Sequence, residues 1–253
     1  MNFNVTWTPC ADTAPARLLC PYFGVQSDGI TSVTIRRETM AGGIIVDSQS
    51  TIESIQSSTL ISIDPGSMTA LPFFPTGSSI YISFASALQT VSFPNLVSIG
   101  ESLVISYCAL LTSVNFNSLA TLDGWVSDPT PGSTFLQFLI SNNDLLTSLS
   151  FPSLVGWSDI SMSAYTEFAI SDNPLLTSLS IPAFVPNNTI IVDCRNNALD
   201  QTSVDLVLAR CVANPAYVSG WVRLNGGTNS APSVAGLADV ATLVGRGVTV
   251  AHN

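Results

Sequence analysis

Two segments of the sequence combine aromatic side chains with acids, and both begin with Gly-Trp. The first contains Trp125 and Asp128, and the second contains Trp157, Asp159 and Tyr165. An indole or phenol ring can stack on a sugar or anchor a partner chain, while nearby carboxylates supply hydrogen bonds. These five residues therefore form a candidate surface for binding a protein or a glycan. The alternative is that each tryptophan folds back and fills the widened turn.

The acids Asp123, Asp128 and Asp159 permit a second chemistry, because glycoside hydrolysis uses a pair of carboxylates. Solvated acids in turns are far more common than such pairs, so a glycoside-acting enzyme remains an alternative. A Ser-His-Asp or Cys-His set needs a histidine, and His252, the only one, lies beside the end of the sequence, where chains fray. The sequence has no lysine for a phosphate-binding loop. We expect no catalytic residue and no cofactor.

The five cysteines are scattered and include no C-x-x-C pair, which argues against structural zinc. Cys10 and Cys20 could form a disulfide that closes the N-terminal segment, or they could simply be small buried residues. A calcium site would need several oxygen ligands in one place, and Asn142, Asp144 and Asp172 are the candidates. We expect no bound metal.

One phrase occurs four times in the middle of the sequence. Its copies occupy 88–96, 111–119, 146–154 and 176–184. Six residues before each copy lies another apolar residue, and these four residues are Ile82, Ile105, Ile140 and Ile170. Within each copy, apolar and polar residues alternate over a few positions, which predicts a short strand that is stable only beside its neighbours. The repeat therefore predicts stacked parallel strands around one continuous core.

The repeated pattern L-x-x-L-x-[LFI]-x-x-L resembles that of leucine-rich repeats. The unit from Phe93 to Val114 is similar to the BspA-like and receptor L-domain types, and the likeness covers roughly residues 80–200. It implies a leucine-rich-repeat solenoid with a short curved parallel β-sheet and mostly irregular turns on the other face. Insertions near 125–135 and 157–167 depart from the family pattern.

The position where leucine-rich repeats carry Asn or Cys is occupied by four residues of this chain. In such a ladder, stacked side chains satisfy backbone groups that each turn buries. The four residues are Cys108, Asn143, Asn173 and Asn197.

The sequence outside the repeats predicts two further units. Residues 1–40, which are dense in aromatic and turn residues, are predicted to form an N-terminal cap or attachment segment, followed by the solenoid at 41–199. Residues 200–253 are predicted to form an α/β C-terminal cap, with Asp200 as the N-cap of a first helix. This cap is similar to the C-terminal unit of many bacterial and bacteriophage-associated leucine-rich-repeat proteins.

Charge and hydropathy exclude several classes of partner. The chain carries 17 acids against seven arginines, so it lacks the basic surface that nucleic acid requires. No apolar stretch is long enough to span a membrane, and the first residues lack the basic and apolar regions of an export signal. We expect neither nucleic-acid binding nor membrane insertion.

These observations and the resemblance favour a non-enzymatic structural or binding protein. We predict a bacteriophage virion surface component, such as a fibre, tail or head decoration, whose partners are other virion or surface proteins or glycans. A bacterial cell-surface adhesin whose export signal was removed is the closest alternative. The sequence leaves open whether the protein forms a homo-oligomer.

Overall fold

A computed structural model describes most of the chain from residue 80 onward and six strands before it. The described residues are 3–5, 24–26, 32–35, 52–56, 62–64, 70–71, 80–99, 102–122, 136–157, 166–186 and 190–253. In chain order the strands are β1 (Phe3–Val5), β2 (Gly24–Gln26), β3 (Ser32–Ile35), β4 (Ile52–Gln56), β5 (Ser62–Asp64), β6 (Ala70–Leu71), β7 (Ile80–Ser83), β8 (Thr90–Ser92), β9 (Ser98–Ile99), β10 (Leu103–Ser106), β11 (Ser113–Asn115), β12 (Thr121–Leu122), β13 (Leu136–Ser141), β14 (Ser148–Ser150), β15 (Gly156–Trp157), β16 (Thr166–Ser171), β17 (Ser178–Ser180), β18 (Ile191–Asp193), β19 (Trp221–Arg223) and β20 (Thr249–Ala251). The helices are α1 (Gln201–Ala213) and α2 (Val234–Gly245).

These strands form parallel sheets, and up to β18 successive strands along the chain belong to different sheets. The largest sheet has nine strands, in the order β2-β4-β7-β10-β13-β16-β18-β19-β20. A second group comprises the five-stranded sheet β1-β3-β5-β8-β11 and the pair β14-β17, and a third sheet has the order β15-β12-β9-β6. The described part of the chain is therefore mostly parallel β-structure with few helices.

The side away from the nine-stranded sheet differs from the expectation of mostly irregular turns. Short strands recur there as well, because each turn places its polar backbone groups beside those of the next turn. In the third sheet, for example, Leu122 is paired with Ile99 on one side and with Trp157 on the other. Buried backbone groups need hydrogen-bond partners, and a neighbouring turn supplies them at constant register.

The register follows the repeated residues of the sequence. Ile105 is paired with Ile82 on one side and with Ile140 on the other, and Ile140 is paired in turn with Ile170. Because side chains alternate between the two faces of a strand, this register directs all four isoleucines to the same side of the sheet.

Phenylalanines from successive turns pack against one another in the core. The rings of Phe93 and Phe116 are stacked with centroids 5.0 Å apart, and those of Phe138 and Phe168 are 4.9 Å apart. All four side chains are fully buried. Burial of each contributes roughly 1.5–3 kcal/mol relative to exposure, so the stack is a main source of stability between turns.

The first helix begins where the sequence predicts. The Asp200 side chain accepts a hydrogen bond from the Ser203 backbone N–H at 2.8 Å and so caps α1. Ser233 caps α2 in the same way, through the Gly236 N–H at 3.2 Å. The strands β19 and β20 extend the nine-stranded sheet, so this unit continues the stack of strands. Neither helix in the described part of the chain is long and apolar enough to cross a membrane.

Candidate binding site on the nine-stranded sheet

Most of the binding surface expected from the sequence lies outside the described residues. This applies to Trp125, Asp128, Asp159 and Tyr165, to Asp123, and to the cysteines at 10 and 20. Trp157 is described. Its side chain belongs to the hydrophobic core and is only 6% exposed. Its indole Nε1 has no hydrogen-bond acceptor among the described residues. The structure therefore favours the packing alternative for Trp157 over a role in binding.

The four residues at the Asn or Cys position of the repeat form one hydrogen-bonded series. Asn143 accepts from the Cys108 N–H at 3.1 Å, Asn173 accepts from the Asn143 N–H at 3.1 Å, and Asn197 accepts from the Asn173 N–H at 2.9 Å. Each asparagine also donates its amide to the carbonyl of a strand in the preceding turn, as Asn173 does to Ile140 at 3.0 Å. All of these groups are buried, so each side chain replaces hydrogen bonds that water would otherwise have made.

A further asparagine, which the sequence reasoning missed, closes the end of this series. Asn229 accepts from the Leu199 N–H at 2.9 Å and donates to the carbonyls of Cys194 and Leu224, also at 2.9 Å. It is displaced from the repeat phase because Gly226 and Gly227 lengthen the turn before it. That irregular spacing hid it from a search for fixed intervals.

A different set of polar residues meets on the outer sheet face, which is the side of the nine-stranded sheet opposite the core. Glu167 lies on β16, Asp193 on β18 and Arg223 on β19, while Arg195 follows β18 closely. Asp193 is the register partner of Arg223 on the neighbouring strand. Side chains at alternate positions share one face of a strand. We call these four residues the ionic cluster.

Asp193 is the buried centre of this cluster. Its Oδ2 lies 3.1 Å from Nη2 of Arg195 and 3.3 Å from Nη1 of Arg223, and its Oδ1 accepts from the Arg195 N–H at 3.2 Å. The Asp193 side chain is 2% exposed, whereas those of Arg195 and Arg223 are 44% and 28% exposed. A buried carboxylate requires such partners. It holds both guanidinium groups in place while part of each stays accessible.

Trp221 lies beside the cluster and is 46% exposed. The guanidinium carbon of Arg223 lies 5.2 Å from the centroid of its ring, within the range of a cation–π contact. The tryptophan is therefore fixed next to a cation instead of being packed in the core. Exposed tryptophan and arginine side chains held in this way are typical of residues that dominate binding energies.

Glu167 is the second carboxylate of the cluster. Its pKa is raised above the ordinary value, chiefly by burial and then by the negative charge of Asp193. Arg223, Arg195 and a hydrogen bond with Gln137 act in the opposite direction without cancelling this shift. Glu167 therefore takes up a proton more readily than a solvated glutamate does.

The other two described arginines serve the backbone. Arg210 donates to the Pro182 carbonyl at 2.6 Å, and Arg246 donates to the carbonyls of Val212 and Asn214, both at 3.0 Å. Within the described residues, therefore, Arg195 and Arg223 are the cations that pair with a carboxylate. The chain has a net charge of −10, so two arginines side by side on one face differ from its generally acidic character.

The described residues offer little for metal or thiol chemistry. They contain no group of three or more His, Cys, Asp or Glu side chains that could hold a metal ion. Cys108, Cys194 and Cys211 are free thiols in the core. Burial raises the pKa of Cys108 to about 11 and that of Cys211 to about 12, and it raises the pKa of Cys194 as well. A thiol protonated at neutral pH is a poor nucleophile.

One signal in the sequence could have indicated the cluster. The segments Asp193-Cys-Arg195 and Trp221-Val-Arg223 each place charged or aromatic residues on both sides of one apolar position. This alternation is typical of a strand with one buried face. Only 9% of the residues are charged, so two such segments near the end of the repeats were informative.

Comparisons with known proteins add no family assignment. No family model matches the chain, no curated protein matches it, and no solved structure matches it. The geometry of the outer sheet face therefore provides the main basis for a functional proposal.

Proposed function

We propose that the chain is a leucine-rich-repeat solenoid that works as a non-enzymatic binding protein. A conformation that recurs once per turn supports the repeat. Five non-glycine residues, each two positions after a fully buried residue in or directly after a strand of the nine-stranded sheet, have positive φ angles between 55° and 57°. They are Phe84, Tyr107, Asn142, Asp172 and Asn196. Bulky residues adopt this conformation only where the surrounding structure imposes it.

The observation that carries the binding role is the exposed Trp221 beside the ionic cluster. Earlier strands carry serines on the same face, with Ser106 paired to Ser141 and Ser141 to Ser171. Arg195, which lies directly after β18, continues that row: its carbonyl accepts from the Asp172 N–H, as that of Ser141 accepts from the Tyr107 N–H. At one end of the sheet, these serines give way to two arginines and a tryptophan that are held in place. The side chains best suited to binding a partner therefore lie at that end. A group held by packing and ion pairs loses little freedom when a partner arrives.

The same geometry argues against glycoside hydrolysis at this place. Glu167 and Asp193 are neighbouring carboxylates, but Asp193 is almost fully buried and is paired with both arginines. A hydrolase needs both carboxylates to reach the scissile bond. The arrangement fits binding better than turnover.

Substituting Trp221 tests the binding surface. We expect Trp221→Ala to abolish binding to whatever ligand the wild-type protein selects from arrays of glycans and surface proteins, because exposed tryptophans of this kind supply much of the energy of binding. Leu237→Ala on α2 is the matched control, since Leu237 is 47% exposed and Trp221 is 46% exposed. Equal binding by the Trp221 variant and the wild type would remove the outer sheet face from the proposal.

For the setting of this binding, we propose the surface of a bacteriophage virion. The resemblance of the C-terminal unit to those of phage-associated proteins supports this placement, and a bacterial cell-surface adhesin is the alternative. Mass spectrometry of fractionated native material separates the two. Recovery at fixed copy number with purified particles supports the virion, whereas recovery with the cell envelope supports the adhesin.

A further inference from the structure

We infer that the ionic cluster binds the carboxylate of an acidic glycan, with Arg195 and Arg223 as the donors and Trp221 packing against the sugar ring. This inference rests on the proposed function and names the ligand class for the same site. Glu167 serves in it as a proton-bearing neighbour that makes binding depend on pH.

The two guanidinium groups have hydrogen-bonding capacity beyond Asp193. Each guanidinium carries five N–H groups in a rigid planar fork. The contact with Asp193 uses one terminal nitrogen of each arginine, Nη2 of Arg195 and Nη1 of Arg223. The side chains remain 44% and 28% exposed, so part of each fork faces solvent. Carboxylates are the groups that such a fork binds best, through two parallel hydrogen bonds.

The charges of the cluster favour a ligand with a single negative charge. With Glu167 ionised, two arginines and two carboxylates cancel, and with Glu167 protonated the sum is +1. A doubly charged phosphate would face repulsion from Asp193 at the centre of the group. A carboxylate is drawn most strongly to the protonated state, so binding takes up a proton.

The groups that surround Glu167 favour its protonated form. Asp193, Arg223 and Gln137 act on it from β18, β19 and β13, and Arg195 acts from the segment directly after β18. Burial and Asp193 raise its pKa, so it takes up a proton at a higher pH than a solvated glutamate does. Protonated Glu167 can also donate a hydrogen bond to an incoming carboxylate.

The neighbouring tryptophan favours a sugar acid over an acidic peptide. Trp221 is half exposed beside Arg223, which places a flat apolar ring next to a carboxylate receptor. An acidic sugar presents both features, an apolar ring face and a ring-bound carboxylate, in one rigid unit. A rigid ligand loses less freedom on binding than a flexible glutamate side chain does.

The test is calorimetric titration of the full chain with oligogalacturonate. The methyl-esterified oligomer is the matched neutral ligand, and a glutamate-rich peptide is the other source of carboxylates. We expect the acid form to bind about tenfold or more tightly than its ester, because hydrogen bonds to charged groups contribute about 1.5–3 kcal/mol. Binding should tighten as the pH falls from neutral and Glu167 takes up a proton, while the sugar carboxylates remain ionised.

Three variants in the cluster and one control outside it assign the effect. Arg223→Gln should lose the preference for the acid, whereas Arg210→Gln, which removes the same charge from α1, should keep it. Arg223→Lys keeps the charge without the fork and should also bind more weakly. Glu167→Gln should bind at neutral pH as tightly as the wild type does in acid, with little dependence on pH. A melting curve for each variant confirms that it is folded.

Several results would overturn the inference. If the acid and the ester bind equally, or if Arg223→Gln still prefers the acid, the cluster does not recognise the carboxylate. Tighter binding of the glutamate-rich peptide would assign the site to proteins instead of glycans. If a neutral ligand from the arrays depends on Trp221 while oligogalacturonate does not bind, the ligand class is wrong and the proposed function stands. If no ligand depends on Trp221, both fail.

Discussion

Replacement of Asn173 by alanine should reduce the stability of the protein more than any comparable change at the surface. The side chain is fully buried and makes hydrogen bonds in both directions along the stack. Its Oδ1 accepts from the Asn143 N–H at 3.1 Å, and its Nδ2 donates to the carbonyls of Ile140 and Ser171 at 3.0 Å and 2.8 Å. Alanine can replace none of these bonds.

The magnitude follows from the group that loses its partner. Without this side chain the N–H of Asn143 would stay buried and lose its acceptor, whereas Ile140 keeps its pairing with β16. One unsatisfied buried group costs about 1–3 kcal/mol, so we expect a loss of about 1–3 kcal/mol in the free energy of unfolding. Asn173→Asp retains the shape but removes the amide donor and adds a buried charge, so it should be no less destabilising.

The assay is urea unfolding, with Asn117→Ala as the matched control. Asn117 is exposed in a turn of the same repeats, and its removal should change stability by no more than about 0.5 kcal/mol. If Asn173→Ala and Asn117→Ala unfold at the same urea concentration, the buried series does not stabilise the stack as described.

Three further changes test other parts of the structure. Glu167→Gln should raise the melting temperature at neutral pH. The pKa of Glu167 is raised in the folded protein, so its ionised form destabilises the fold. The higher melting temperature of the variant should disappear as the pH falls below the pKa of the unfolded state, about 4.3. Tyr217→Phe should cost about 1–2 kcal/mol in denaturant unfolding, because the buried hydroxyl shares its one proton between the carbonyls of Ile190 and Trp221, at 3.0 and 3.1 Å. Unchanged stability would contradict this. Cys108, Cys194 and Cys211 should react with a thiol reagent at neutral pH only as fast as the protein unfolds, since all three are buried with raised pKa values; rapid labelling of any of them would place it at the surface.

Features that repeat at short range could be predicted from the sequence. The isoleucines at 82, 105, 140 and 170 and the asparagine positions keep the same place within each repeat. The structure aligns them with their counterparts in the neighbouring repeats. The start of α1 was equally readable, because Asp200 caps it through a backbone N–H only three residues away. Helix caps and repeats depend on residues that lie close together in the sequence, so the sequence alone predicts them.

The position of Trp157 needed more than local pattern. Its Gly-Trp motif and neighbouring acids suit a binding loop as well as they suit a filled turn, and the sequence left both alternatives open. In the structure, the third parallel sheet pairs Trp157 with Leu122 and places its ring in the core. That sheet is formed by pairs of residues too short to be recognised alone, so its existence depends on stacking.

The ionic cluster was decided by tertiary structure alone. Glu167 and Asp193 are 26 residues apart with β17 between them, and Asp193 and Arg223 are 30 apart with α1 between them. The register of three neighbouring strands brings them together, because parallel pairing sets positions across the sheet regardless of the length of the intervening turns. The sequence by itself determined which of the repeated residues face the core. Only the stacking of turns decided which charged residues share the opposite face.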